Sequence, residues 1–179
     1  DPKIDWQLLD SIYYKTVEVI DQFTDFQVIK YPGCEADDII AVLAQLSKQP
    51  VTIVSNDKDL KTLIDDRRKY YDFKKKVFVE EMSDLKREIF YLSGDNADSI
   101  PSVKQGWKEG KWAKYLTTNS IEDYFNDNPG SKNHFELNKT LMSLNINDLP
   151  KDVVKNIITE AKKDKGLNIA VRVVGFDAK

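Results

Sequence analysis

Trp6, Leu9, Tyr13, Val17 and Ile20 recur every three or four residues, which lays them along one face of a helix over roughly residues 5–23. The run 26–31, FQVIKY, then predicts a strand closed by Pro32-Gly33. Ile39, Ile40, Val42, Leu43 and Leu46 mark the inward face of a second helix, from about residue 35 to residue 48, which Pro50 stops. Val51-Thr52-Ile53-Val54 is a short apolar and β-branched run of the kind a parallel sheet buries on both faces. Strand, helix and strand in such close succession make a βαβ unit.

Beyond it, residues 60–64 predict a short helix. Residues 69–73 and 77–79 predict two strands around a basic hairpin tip, Lys74-Lys75-Lys76. Ser83 is placed to cap a helix that runs to Leu92, with Gly94 at its end. From 95 to 165 no strong strand pattern occurs. Helices are expected near 111–118, 120–126, 132–144 and 151–163, with a loop over 126–132, and 167–174 reads as a strand or a docked extension. The expected organisation is an α/β part over residues 1–97 and a helical part over residues 98–179.

Composition narrows the chemistry. Of 179 residues, 41% are hydrophobic and 32% charged, enough to bury a core beneath a well-solvated surface and unlike a disordered tail. No apolar run approaches the roughly 18 residues of a membrane span, so no membrane partner is expected. A single cysteine excludes an intramolecular disulfide and suits a reducing, cytoplasmic compartment. With one histidine beside it, zinc sites built from several of these residues are excluded too. Carboxylates and lysines remain as the chemical tools. The chain opens Asp1-Pro2-Lys3 without methionine or a recognisable leader, which reads as an excision point with something upstream of it.

Three acidic clusters stand at element ends: Glu35-Ala36-Asp37-Asp38 opening a helix, Asp57-Lys58-Asp59 directly after a strand, and Asp95 to Asp98 closing a helix. Acids in a first turn favour the helix dipole, and acids in turns bond their own backbone, so each cluster alone has a structural explanation. Active sites of open parallel sheets form outside the carboxyl ends of strands, where all three can meet. Two like charges about 5 Å apart repel by roughly 3 kcal/mol at an effective dielectric near 20. Such a pocket therefore needs protons or cations, and all-oxygen donors suit Mg²⁺ or Mn²⁺. Two such ions can clamp the attacking and leaving oxygens of a phosphodiester.

The net charge of −3 looks wrong for a nucleic-acid partner. With Glu35, Asp37, Asp57, Asp59, Asp95 and Asp98 set aside, however, the 27 basic residues outnumber the acids by three. Ser102, Lys104, Lys108, Lys111 and Lys114 form a segment suited to backbone phosphates, with Trp107 and Trp112 interleaved. The tryptophans can stack on bases or pack the helical half, and the latter is the expectation. His134 and Cys34 carry no functional signal.

The motifs Glu35-Ala36-Asp37-Asp38-Ile39-Ile40-Ala41, Val54-Ser55-Asn56-Asp57-Lys58-Asp59-Leu60 and Gly94-Asp95-Asn96-Ala97-Asp98-Ser99-Ile100-Pro101 resemble, in order and spacing, those of the 5′-nucleases. That family includes flap endonucleases and the exonuclease domains of bacterial DNA polymerases. Within it the chain is most similar to the ribonuclease H branch of T-even phages, through Asp5-Trp6, Val19-Ile20-Asp21, Ala41-Val42-Leu43, Leu137-Asn138-Lys139 and Leu149-Pro150. The resemblance implies a parallel-sheet, PIN-like α/β core followed by a helix–three-turn–helix DNA-binding element over 98 to about 118. It implies that Glu35, Asp37 and Asp57 serve a first Mg²⁺ with Asp38 behind them, and that Asp59, Asp95 and Asp98 serve a second, Mn²⁺ being able to substitute. Glu35, Asp37, Asp57 and Asp59 are the implied catalytic set. The implied partners are duplex DNA with a 5′ flap, a nick or an RNA primer, and a replication single-strand-binding protein or clamp. The implied setting is a bacterial cytoplasm, phage-infected or not.

Two features depart from the family. Its N-terminal strand and its helical arch, each with an aspartate, have no counterpart in the sequence, so residues 1–179 alone are expected to cut poorly. Its glycine-rich hairpin turn is replaced by Ser102-Val103-Lys104-Gln105-Gly106-Trp107, which leaves K⁺ an open question. Two other readings compete: a PIN-type ribonuclease, which would not need so long a helical half, and a duplex-binding module without catalysis.

Overall fold

The computed structural model describes residues 4–162. Helix α1 spans Trp6–Phe23, and the Asp5 carboxylate caps it by accepting from the Leu8 N–H at 3.1 Å. Helix α2 spans Ala36–Leu46, strand β1 Val51–Ser55, and a 3₁₀ turn Asp59–Leu63 leads to β2, Arg68–Asp72. Strand β3 is Val77–Val79. Helices α3 (Asp84–Ser93), α4 (Glu109–Tyr115), α5 (Ile121–Asp127), α6 (Ser131–Met142) and α7 (Lys151–Ala161) follow. Among the described residues no helix is long and apolar enough to cross a membrane.

The sheet is small and mixed. β1 pairs parallel with β2, Val51 opposite Arg68 and Ser55 opposite Asp72, and β2 pairs antiparallel with β3. This corrects the expectation of a parallel sheet at two points. The parallel pair is β1 with β2, joined through the short helix expected near 60–64, and not residues 26–31 with β1 across α2. Residues 26–31, expected to be a strand, form none, and β1 lies at the edge of the sheet among the described residues. The apolar residues of that run are used as packing groups instead: Ile29 and Tyr31 lean on the cluster around Ile39, Val42 and Ile157. As an edge strand, β1 is also less buried than a two-sided strand, with Ile53 buried and Thr52 exposed.

One core lies between α2, β1, the 3₁₀ turn and β2, built on Ile40, Ala41, Ala44, Ile53, Leu60, Leu63, Ile64 and Tyr70. Leu46, expected to face inward, is exposed, because it falls in the last turn, beyond the strands. A second core joins α3 to α4, α5 and α6 through Phe90, Tyr91, Leu92, Trp112, Phe125 and Phe135. Among the described residues α1 joins none of these cores: Tyr13, Val17 and Ile20 are half-buried, while Trp6 is 52% exposed and Phe23 77%. The periodicity that predicts α1 is real, but none of its residues is buried. The end of the predicted helix at 163 and the segment 167–174 lie outside the described residues.

Candidate metal centre

Strand β1 ends at Ser55, and the chain turns sharply after it. The Ser55 hydroxyl oxygen accepts from the Asp57 N–H (3.0 Å), and the Asp57 carboxylate accepts from the Asp59 N–H (2.9 Å). The buried Tyr70 on β2 secures the turn from below by donating its hydroxyl to the Asp57 carbonyl at 2.7 Å. This tight, locally bonded turn projects Asp59 from the carboxyl end of a strand, as the Asp-x-Asp spacing predicts.

Asp95 arrives from the other core. It follows Gly94, which ends α3 at φ +62°, and a Cβ there would lie 2.5 Å from the carbonyl oxygens of Ile100 and Pro101. Only glycine fits so close an approach with that backbone. The loop from 94 to 102 is tied at its neck. Ile100 donates its N–H to the Asp95 carbonyl at 2.7 Å, and Val103 donates to the Leu92 carbonyl at 2.9 Å. The Asn138 side chain on α6, 1% exposed, donates to the Tyr91 carbonyl (3.0 Å) and the Pro101 carbonyl (2.9 Å). Asn138 is a positioning residue that sequence reasoning missed. Its bonds run to backbone atoms far along the chain, and nothing in the local pattern signals them.

Asp59, Asp95 and Asp98 converge, each with a carboxylate oxygen within 4.8 Å of the others. The three carry different burdens. Burial pushes the Asp59 carboxyl up, and the negative charges of Asp57 and Asp95 push it further; Lys58 pulls back only in part, leaving it at about 7 against an ordinary 3.8. Asp95 is 4% exposed, yet stays below its ordinary value. Burial would raise it, but the Lys58 ammonium bonded to it and the Ala97 N–H at 2.8 Å outweigh that. Lys58, itself without an assigned role in the sequence reading, pairs with Asp95 Oδ2 at 2.5 Å.

Glu35, Asp37 and Asp38 form a separate local group at the N-terminus of α2 and are outside the three-carboxylate convergence. Asp38 Oδ2 accepts from the Glu35 N–H at 3.2 Å, a capping role. Burial raises the Asp37 carboxyl to about 6, with Asp38 and Glu35 adding to it. Asp57 adjoins the trio without joining it.

On the basic side, Lys108, Lys111 and Lys114 are exposed along α4. Ser102 donates its hydroxyl to the Leu92 carbonyl at 3.0 Å, and the Lys104 ammonium lies 4.0 Å from the Trp107 ring centroid. Trp112 is fully buried and Trp107 packs edge-on against it at 4.8 Å, so the tryptophans serve the helical core, as expected.

Residues 8–89 match the family described as 5′-3′ exonuclease, N-terminal resolvase-like domain. Over that stretch, just under half of its length, the chain is similar to the 5′-3′ exonuclease family. A curated relative, the flap endonuclease Xni of Pseudoalteromonas translucida (strain TAC 125), is 34% identical over a match covering 52% of this chain and 41% of the relative. The chain thus aligns with well under half of that 5′-nuclease's length. Among solved structures, a bacteriophage T5 5′-exonuclease with bound divalent metal ions (zinc) superposes with a TM-score of 0.59 at 18% identity. It covers 90% of this chain and 73% of the phage protein. The T5 D15 flap endonuclease in a pseudo-enzyme–product complex with DNA and metal ions gives 0.60 at 17% identity, over 90% and 74%. At these identities the likeness establishes a shared fold.

The Asp59–Asp95–Asp98 trio also fits a divalent ion on its own terms. Its donors are all hard carboxylate oxygens, and Asp59 Oδ1 is buried with no hydrogen-bond partner. A buried, unpartnered oxygen on one of three converging carboxylates is costly unless a cation joins it.

Proposed function

We propose that the chain carries the metal-binding and duplex-binding parts of a two-metal 5′-3′ exonuclease and flap endonuclease, which hydrolyses phosphodiesters in 5′ DNA flaps and RNA primers during replication. The observation that carries this reading is the meeting of Asp59, Asp95 and Asp98 at the end of β1, in a chain whose residues 8–89 match the 5′-3′ exonuclease family. Residues 1–97 would form the nuclease core and residues 98–179 the DNA-binding region.

In this reading Asp59, Asp95 and Asp98 hold one Mg²⁺, and Glu35, Asp37 and Asp57 the other, with Asp38 orienting the α2 group; Mn²⁺ would substitute. Divalent ions bound there would polarise the phosphate and lower the pKa of an attacking water. The chain's own residues supply position. The Ala97 N–H fixes one oxygen of Asp95 and leaves Oδ2 to face the trio. The turn after β1 fixes Asp59.

Lys108 at the N-cap of α4, with Lys111 and Lys114 on it, is exposed, and the three would meet successive backbone phosphates as part of a helix–three-turn–helix element over 98 to about 118. Ser102 and Lys104 begin that segment; Lys104 would leave the face of Trp107 to reach a phosphate. A ribonuclease H activity like that of the T-even phage branch, a single-strand-binding protein or clamp as partner, and a phage-infected bacterial cytoplasm complete the reading.

The test is cleavage of a labelled 5′-flap duplex by the protein that carries this sequence. Cutting should require Mg²⁺ or Mn²⁺, stop with a chelator, and fall at least about a hundredfold in Asp59→Asn and Asp95→Asn, a loss typical of charge-stabilising groups. Cutting that survives the chelator, or persists in both variants, contradicts the reading.

A further inference from the structure

Three carboxylates whose oxygens lie within 4.8 Å of one another need positive charge to stay together. Among the described residues, one ammonium is seated against them. Lys58 lies between Asp57 and Asp59 in the turn, and its Nζ is 2.5 Å from Asp95 Oδ2. That oxygen is the one Asp95 has left, since the Ala97 N–H occupies Oδ1. The two partners differ in their freedom. Asp95 is 4% exposed and tied into a closed loop, whereas the Lys58 side chain is 51% exposed on a flexible four-carbon stem. One end of the pair is fixed and the other can leave.

We propose that Lys58 is a resident cation of the Asp59–Asp95–Asp98 site, occupying Asp95 Oδ2 until a divalent ion arrives and swinging into solvent when it does. This deepens the metal reading above and rests on it. A divalent ion on Asp95 Oδ2 and an ammonium at contact distance from the same oxygen repel each other, and the doubly charged ion gains more from three carboxylates. Lys58 therefore balances charge at Asp95 and competes with the metal for the same oxygen. It is a positioning residue, and its loss should tighten metal binding, the opposite of what a purely structural lysine would do.

The experiment titrates the chain with Mn²⁺ by calorimetry, alongside Lys58→Met and Lys58→Arg. Lys58→Met should bind Mn²⁺ about fivefold more tightly, the scale of one partly exposed ion pair, and Lys58→Arg should return toward the original affinity. Binding of Mn²⁺ by the original chain with equal or weaker binding by Lys58→Met overturns the role of Lys58 and leaves the metal reading standing. Absence of Mn²⁺ binding in every form overturns both. A measurement on the unsubstituted chain guards against misfolded variants: acetylation of Lys58 by acetic anhydride, followed by mass spectrometry. Its rate should rise about threefold or more when Mg²⁺ frees the ammonium, while the exposed hairpin residues Lys74 and Lys76 stay constant. A Lys58 rate indifferent to Mg²⁺ also overturns the proposal.

Discussion

Replacing Asp59 with asparagine should make the metal-free protein more stable while removing the stability it gains from a metal on Asp59, Asp95 and Asp98. The Asp59 carboxyl is raised from 3.8 to about 7, first by burial and then by Asp57 and Asp95. A carboxyl that holds its proton more tightly in the folded chain than in the unfolded one favours folding below the unfolded value. That advantage is lost as pH rises from about 4 through about 7. At about 1.36 kcal/mol per pKa unit the full shift would be worth roughly 4 kcal/mol, and partial solvent access brings the expected figure to about 1–3 kcal/mol. Asparagine carries no charge and adds an N–H donor toward the neighbouring carboxylates.

At pH 8 with a chelator, Asp59→Asn should therefore melt higher than the original chain, by roughly 2–4 °C per kcal/mol in a protein of this size. The gap should close as the pH falls toward 4. Saturating Mn²⁺ should reverse the order, since ligand at about 1,000 times its dissociation constant adds about 4.1 kcal/mol to the form that binds it, more than the advantage of the variant. Thermal melts at pH 5 and pH 8, with chelator and with Mn²⁺, read all of this. An Asp59→Asn protein that is no more stable at pH 8 without metal would refute the claim that like charge is crowded at this turn.

Two further outcomes follow from the same geometry. Asn138→Leu should destabilise the fold by about 2–4 kcal/mol in chemical denaturation, because the Tyr91 and Pro101 carbonyls lose their shared buried donor, and it should weaken Mn²⁺ binding by loosening the loop that holds Asp95. Charge reversal at Lys104 and Lys111 together should lower flap-duplex affinity at every sequence and flatten its salt dependence by roughly one unit of slope per lost phosphate contact, read by fluorescence anisotropy across a salt series; an unchanged slope would place the duplex elsewhere.

The sequence is most legible where structure is locally determined. Ser83 and Gly94 bracket α3 because caps are local chemistry: the Ser83 hydroxyl oxygen accepts from the Lys86 N–H at 3.3 Å, and Gly94 takes a backbone conformation other residues avoid. The helices of the second half follow from periodicity for the same reason. The strand expected over 26–31 failed because strand propensity needs a neighbouring strand, and the described sheet offers none on that side. The periodicity of α1 predicts a helix but not what would cover it. At the site, the Asp-x-Asp after β1 and the Asp95–Asp98 loop were readable as acids at element ends, and the structure brings Asp59, Asp95 and Asp98 together. Lys58 was not readable as their counter-ion, because the pairing with Asp95 depends on how two cores abut.

The central claim is that Asp59, Asp95 and Asp98 together hold a divalent cation. A crystal grown with Mn²⁺ and measured at a wavelength where manganese scatters anomalously tests it without reference to activity. An anomalous peak should appear bonded to oxygens of all three carboxylates, with the Lys58 ammonium withdrawn from Asp95. A fully Mn²⁺-saturated crystal whose trio is empty, with Lys58 still on Asp95, would contradict it.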